Sequence, residues 1–393
     1  MRVIHLYPFP LAGVNGGSLR LRAAHAATTR LGPSEVHTFD PQTLVWRQAA
    51  PPAPGERRTS AGVSEPELLD SLRRRLLPST MWEAGRRAVR TLRPYLTKLE
   101  LDRALVVLHT TYLASSGGQV RSLGARLLTD VYDLVWLAHR NDASHCRGAL
   151  RAFRRAYAGA VRVREQAAIA ASDHVVAAGY EDCDRVRERV ADATWIPTPT
   201  PIDPVPEPPT AEGRLTIGFV GNFAHASTSA SALGLLASPA AADTGVRIRF
   251  AGVGSTEFAA RFSGSEGLGA LDRVEPFYSE LDCVVVPVTA GSGIKCKLGE
   301  AILAGRPVLT TTLGAAGYSP DLRAHFSLTE AGEITGPRIR EAIERFDRER
   351  ARAAFERVLG WNAVIDAYGR AAERALAGDE SPAPRKSRQD SSR

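Results

Sequence analysis

Short apolar runs bounded by turn residues recur along the chain, and longer stretches with helical spacing fill the gaps between them. In the first half the runs at 3–6, 36–39, 105–108, 125–129, 174–177 and 194–196 predict strands. Between them, 19–31 (ending at Gly32), 66–77, 80–96, 147–171 and 180–190 carry helical periodicity, while 48–65, with three prolines and no pattern, predicts a mobile surface loop. In the second half, 215–220, 246–251 and 283–286 predict strands, another begins at Pro307, and helices are expected over 230–236, 294–304 and 349–377. Strands that alternate with helices imply parallel sheets wound on both faces. Seven prolines between 197 and 213 mark a stiff linker. The expected organisation is therefore a domain over 1–196, a linker over 197–213, a second domain over 214–348, a terminal helix over 349–377 and a disordered tail over 378–393.

The stretch 287–317, PVTAGSGIKCKLGEAILAGRPVLTTTLGAAG, carries the clearest chemistry. A strand feeds a glycine-rich turn, Gly291-Ser292-Gly293, then a helix beginning at Ile294 and closed by Gly305. Glycines let backbone amides approach a phosphate, and a helix N-terminus adds partial positive charge, so the unit is an anion site. Lys297 and Glu300, three apart, share a helical face. An ammonium suits a diphosphate and a carboxylate suits a ribose diol; the same pair in an ordinary strand–helix unit is a solvated ion pair. Only four lysines occur in the chain, and two of them, Lys295 and Lys297, fall here.

This stretch resembles the nucleotide-sugar signature of retaining GT-B glycosyltransferases, the large family that includes sucrose synthase and bacterial mannosyltransferases. Lys297, Glu300, Ala301, Ala304, Gly305, Pro307, Val308 and Thr310 fall in the places of its pattern. The family's paired glutamates, eight apart, are not both present: Glu300 matches the second, and Ser292 stands at the first. The resemblance implies an α/β GT-B fold, two Rossmann-like doubly wound parallel-sheet domains facing a cleft, with the terminal helix crossing back onto the first domain. It implies a donor site at Gly16, Gly17, Gly221, Asn222, His225, Gly291, Ser292, Gly293, Ile294, Lys297 and Glu300, with Lys295 sharing in phosphate neutralisation. Asp133 and His109 are the expected catalytic contacts to the sugar, and Tyr132, His139 and Arg140, the last two on a loop, the acceptor contacts. The implied reaction is metal-independent transfer of a hexosyl group, with retention, from a nucleoside diphosphate sugar to a small natural product or a cell-surface glycan or lipid. No cofactor is expected. A nucleotide-sugar 2-epimerase and a catalytically degenerate binding protein on the same fold are the alternatives, the second motivated by Ser292 and by the absence of a cation after the 215–220 strand.

Composition narrows the setting. At 393 residues, 44% hydrophobic and 24% charged, the chain is long enough for two ordinary cores. Cys146, Cys183, Cys283 and Cys296 show no paired spacing, and no apolar run reaches membrane-spanning length, which together predict a reduced, cytoplasmic protein. The net charge of +7 is concentrated between 73 and 98, where eight basic residues face one acid, Glu83, with apolar residues interleaved. A surface helix pair packed on its own sheet and a peripheral membrane contact through 72–98 both fit that pattern. Nucleic acid does not, since no recognition-helix or aromatic-strand pattern accompanies the charge. Asp182-Cys183-Asp184 has the spacing of a metal-binding pair, but acids in a first helical turn also answer the helix dipole. No metal is expected.

Overall fold

The computed structural model describes residues 1–11, 16–40, 43–50, 80–144, 146–190, 192–208, 213–289 and 291–378. The helix expected at 66–77 and most of the expected 48–65 loop and tail lie outside the described residues. The first domain runs β1 (Val3–Tyr7), α1 (Gly16–Thr28), β2 (Ser34–Asp40), β3 (Val45–Ala49), α2 (Thr80–Leu96), β4 (Leu105–His109) and β5 (Arg126–Val131). It continues through α3 (Val135–Ser144), α4 (Gly148–Ile169), β6 (His174–Ala177), α5 (Tyr180–Arg187) and β7 (Ala193–Trp195). Its seven strands lie in the order β3-β2-β1-β4-β5-β6-β7, parallel except for β3.

Every residue of β1, β4 and β6 is buried, which is why each reads as an unbroken apolar run: helices cover both faces. Val3, Leu105, Val107 and Leu128 face one helical layer; Ile4, Leu6, Val106 and Leu108 face Ala88, Leu92 and Leu96 of α2 on the other. On that second side, Val131, Val175 and Ala177 pack on Val161 and Ile169 of α4 and Val186 of α5.

The second domain contains β8 (Leu215–Val220), α6 (Ala226–Leu236), β9 (Val246–Ala251), β10 (Ser265–Gly267), β11 (Cys283–Val286), α7 (Cys296–Ala304), β12 (Val308–Thr310), β13 (Ser327–Leu328), α8 (Gly336–Glu344) and α9 (Arg348–Leu359). Its sheet order is β10-β9-β8-β11-β12-β13, all parallel. A last helix, α10 (Trp361–Ala377), leaves this domain: Val364, Ile365, Tyr368, Ala371 and Ala372 pack with Val3, Ala23, Leu105 and Val107 of the first.

Four expectations are corrected. The segment 45–49 is a strand that pairs antiparallel with β2, where loop was expected from Gln48; its Trp46 is buried and donates to the Ala88 carbonyl at 3.1 Å. Residues 135–144 form α3, not a loop, and its capping group is remote: the Glu165 carboxylate accepts from the amides of Val135 (3.1 Å) and Trp136 (3.3 Å). Helix α7 starts at Cys296, two residues after Ile294. The single helix expected over 349–377 is two, because Gly360 takes an extended conformation between them. Helix α9 then joins the second core through Ala351, Phe355 and Leu359, and only α10 crosses back.

In both sheets the strand order reverses about a central pair, β1/β4 and β8/β11, and ligands of such sheets bind outside the carboxyl ends of the strands at these points. The carboxyl ends of β1, β8 and β11 lie at these points.

Candidate active site

The β11–α7 turn is held in one conformation by its glycines and by a lysine. Gly291 (φ +112°) and Gly293 (φ +71°) occupy the left-handed region. The Lys295 ammonium donates to the carbonyls of Ser292 (2.5 Å) and Gly293 (3.1 Å), tying the turn to the helix start. From the first turn of α7, Lys297 reaches back to β8. Its Nζ lies 4.2 Å from the centre of the Phe219 ring, and a Cβ built on Gly221 would approach it to 2.8 Å. Gly221 is thus the absent side chain that admits the ammonium. Glu300 is buried and accepts from the Tyr278 hydroxyl at 3.1 Å.

The first domain meets this turn from the other side of the cleft. A Cβ on Gly293 would land 1.6 Å from Asp133 Oδ1, so backbone and carboxylate are in direct contact. The Asn141 side chain of α3 donates to the Gly291 carbonyl at 2.6 Å. At α1, a Cβ on Gly16 would sit 3.5 Å from Cys296 Sγ, which brings the N-termini of α1 and α7 face to face. Two more bonds close the rim: Tyr180 donates its amide to the Gly317 carbonyl at 2.9 Å, and Arg323 pairs with Glu181 at 2.9 Å. Asp133 is exposed at the cleft yet has atoms of both domains around it. That crowding pushes its carboxyl up to about 6, against the pull of Lys295. Burial also lowers the Lys295 ammonium and raises Asp182, which accepts from the Gly293 backbone.

Residues 214–333, the segment that holds this turn, match the family described as "Glycosyl transferases group 1". Over this segment the chain resembles a group 1 glycosyltransferase domain. No curated protein matches it in sequence. Solved structures show the fold of the whole chain. Sucrose-phosphate synthase from Thermosynechococcus elongatus is 17% identical with a TM-score of 0.65, covering 96% of this chain and 100% of its own. HepE from Anabaena, in complex with UDP and glucose, is 14% identical with a TM-score of 0.57, covering 94% and 98%. AviGT4, a glycosyltransferase involved in avilamycin A biosynthesis, is 14% identical with a TM-score of 0.51, covering 96% and 98%. All share two Rossmann-like domains, so the fold is GT-B.

Within this fold the expected site residues divide. Gly16, Gly17, Gly221, Gly291, Ser292, Gly293, Ile294, Lys297 and Asp133 gather at the cleft, although Gly16 and Gly17 form the first turn of α1 rather than a preceding loop. His225 is exposed at the N-cap of α6, and Asn222 spends its carbonyl on the Ala224 amide at 3.0 Å, holding the β8 turn. Lys295 faces its own turn carbonyls instead of standing open to a phosphate.

His109 does not face the sugar site. It is fully buried, bonded to His5 at 3.0 Å and to Asp130 at 3.3 Å, and burial lowers its pKa. The same network takes in Arg20, paired with Asp130 and donating to the Ile196 carbonyl at 2.6 Å, and Tyr368 of α10, which donates to Asp130 at 2.7 Å. Tyr132 is drawn into it as well: its hydroxyl lies 3.0 Å from the Gly17 carbonyl and 3.1 Å from His109 Nδ1. His139 also turns inward, packing edge-on against Tyr157 of α4, and burial pushes its pKa down to about 4. Arg140 is exposed on the outer side of α3, over Trp136, Arg162 and Glu165. Asp182 and Asp184 do not converge: each pairs with its own arginine, Arg185 (3.2 Å) and Arg187 (3.0 Å). Sequence reasoning missed Asn141, Asp130, Arg20 and Tyr368 as parts of this arrangement. None lies in a local motif; each is defined by a partner far along the chain.

Proposed function

We propose that the protein transfers a glycosyl group from a nucleoside diphosphate sugar to an acceptor hydroxyl, with retention and without a divalent metal. The observation that carries this reading is Lys297: an ammonium placed at Gly221, in the first turn of the helix that follows the glycine turn and meets the N-terminus of α1. Two helix N-termini, backbone amides and one lysine suit the leaving diphosphate, whose charge grows as the anomeric C–O bond breaks. The new bond forms from the acceptor oxygen to the same carbon, and the acceptor proton passes to the departing phosphate oxygen. Asp133, the acid that opens to the cleft, is placed to orient the sugar or acceptor hydroxyls. HepE, with UDP and glucose bound, supports a nucleotide sugar as the donor; AviGT4, from avilamycin A biosynthesis, supports a natural product as the acceptor class, beside a cell-surface glycan or lipid.

The test is a metal-free thermal-shift panel with UDP, GDP, dTDP and ADP on wild type and Lys297→Ala. The expected outcome is stabilisation by one nucleotide of several degrees at saturating concentration, lost in the variant. No shift with any nucleotide overturns the donor site. Conversion of the matching nucleotide sugar with no acceptor present replaces transfer by epimerisation.

A further inference from the structure

Helix α4 projects from the first domain with an apolar stripe turned to solvent. None of its first ten residues, 148–157, is fully buried. At about 100° per residue, Ala152, Phe153, Ala156, Ala160, Val163 and Ala167 fall on one face, all exposed. Phe153 is 51% and Val163 68% exposed, against the usual fate of such side chains. Exposed arginines border the stripe, Arg151 and Arg155 along one edge and Arg164 along the other. The helix has a single acid, Glu165, and it is buried at 4% on the opposite side. Helix α2 covers the same side of the sheet, with Arg90, Arg93 and Lys98 exposed, and residues 114–116 pack against both helices.

Charge and apolar exposure together select the partner. A second copy docked through this face would bring two rows of arginine together and repel itself. A nucleic acid would answer the arginines and leave the phenyl and isopropyl groups wet. An anionic bilayer answers both: acidic headgroups meet the arginines, and the apolar stripe enters the boundary between headgroups and acyl chains. We propose that the α4 face of the first domain docks on an anionic lipid surface, with Phe153 and Val163 as the inserting residues and the α2 basic side chains as a second electrostatic contact. The sequence left a peripheral membrane contact through 72–98 as one of two readings; in this proposal the inserting residues lie on a different helix and that segment supplies only charge. The stripe is separate from the donor turn, so lipid binding and sugar transfer succeed or fail independently.

The experiment is co-sedimentation of the full chain with vesicles of phosphatidylcholine alone or with about one third phosphatidylglycerol, at about 0.1 M salt. Wild type is expected to bind the anionic vesicles at least about tenfold better than the neutral ones. Phe153→Ser with Val163→Ser, and separately Arg151→Glu with Arg155→Glu, should each lower that binding roughly tenfold. Phe153→Leu should retain it. Arg338→Glu with Arg345→Glu, which reverses the same amount of charge on the second domain, should also leave it unchanged. These side chains are exposed, so thermal midpoints should not move, and Phe153→Leu keeps the comparison intact if the serine pair does. Four results overturn the proposal: no binding to anionic vesicles, full binding by the serine pair, equal loss in the second-domain pair, or tighter binding to RNA that ignores Phe153.

Discussion

At the scale of single residues, Glu165 shows how a buried acid is turned to structural use. It is 4% exposed, caps the amide end of α3, and burial pushes its carboxyl up to about 7 from an ordinary 4.5. Between those values the unfolded chain ionises this group while the folded chain still holds its proton, so its contribution to stability falls as pH rises. Across the window this amounts to about 3 kcal/mol. Glu165→Gln removes the titration and keeps an accepting oxygen. The thermal midpoint of the variant relative to wild type should therefore climb between pH 5 and pH 8, and a pH-independent difference would refute this account. The sequence could not reveal the role, because Glu165 lies about thirty residues beyond the amides it caps. Lys297 was legible for the opposite reason: the glycine turn and helix start that mark it are its neighbours in sequence, although the Phe219 ring it meets is not. His109 misled because a histidine at a strand end looks the same in sequence whether it faces the cleft or, as here, a buried arginine–aspartate pair.

At the scale of elements, the glycine turn before α7 is tightly specified. Gly293→Ala would force a side chain into the left-handed region, at roughly 1–2 kcal/mol, and drive its Cβ into the Asp133 carboxylate. The expected result is a large loss of nucleotide affinity by calorimetry with the midpoint of unfolding little changed. Gly293→Ala with Asp133→Ala should recover part of that affinity, because it removes the clash and leaves only the strain. If Gly293→Ala binds nucleotide as wild type does, the turn does not hold the donor. Most strands were legible from apolar runs alone, since parallel strands are buried on both faces. Elements whose stabilisation is non-local were not: β3 depends on Trp46 seated over Phe39, and α3 on Glu165. The break at Gly360 was hidden because a lone glycine inside a helical pattern is usually tolerated.

At the scale of the whole molecule, the buried Arg20–Asp130–Tyr368 network fastens α10 to the first domain. Asp130→Ala leaves an uncompensated guanidinium that is 1% exposed, a loss of roughly 3–5 kcal/mol. Tyr368→Phe removes one bond to a charged acceptor, roughly 1.5–3 kcal/mol. Calorimetric midpoints should fall in that order; two variants as stable as wild type would show that the network fastens nothing. The chain passes between the domains twice, once after Ile196 and again at Gly360, and the Thr200 amide donates to the Leu359 carbonyl at 2.9 Å, stitching the two crossings side by side. Two covalent tethers fixed at one edge would restrict any relative motion of the halves to a swing about a common axis, like the covers of a book. Such a rotation would part Asp133 from Gly293 and free the Asn141 and Arg323 fastenings, all of which bridge the two halves.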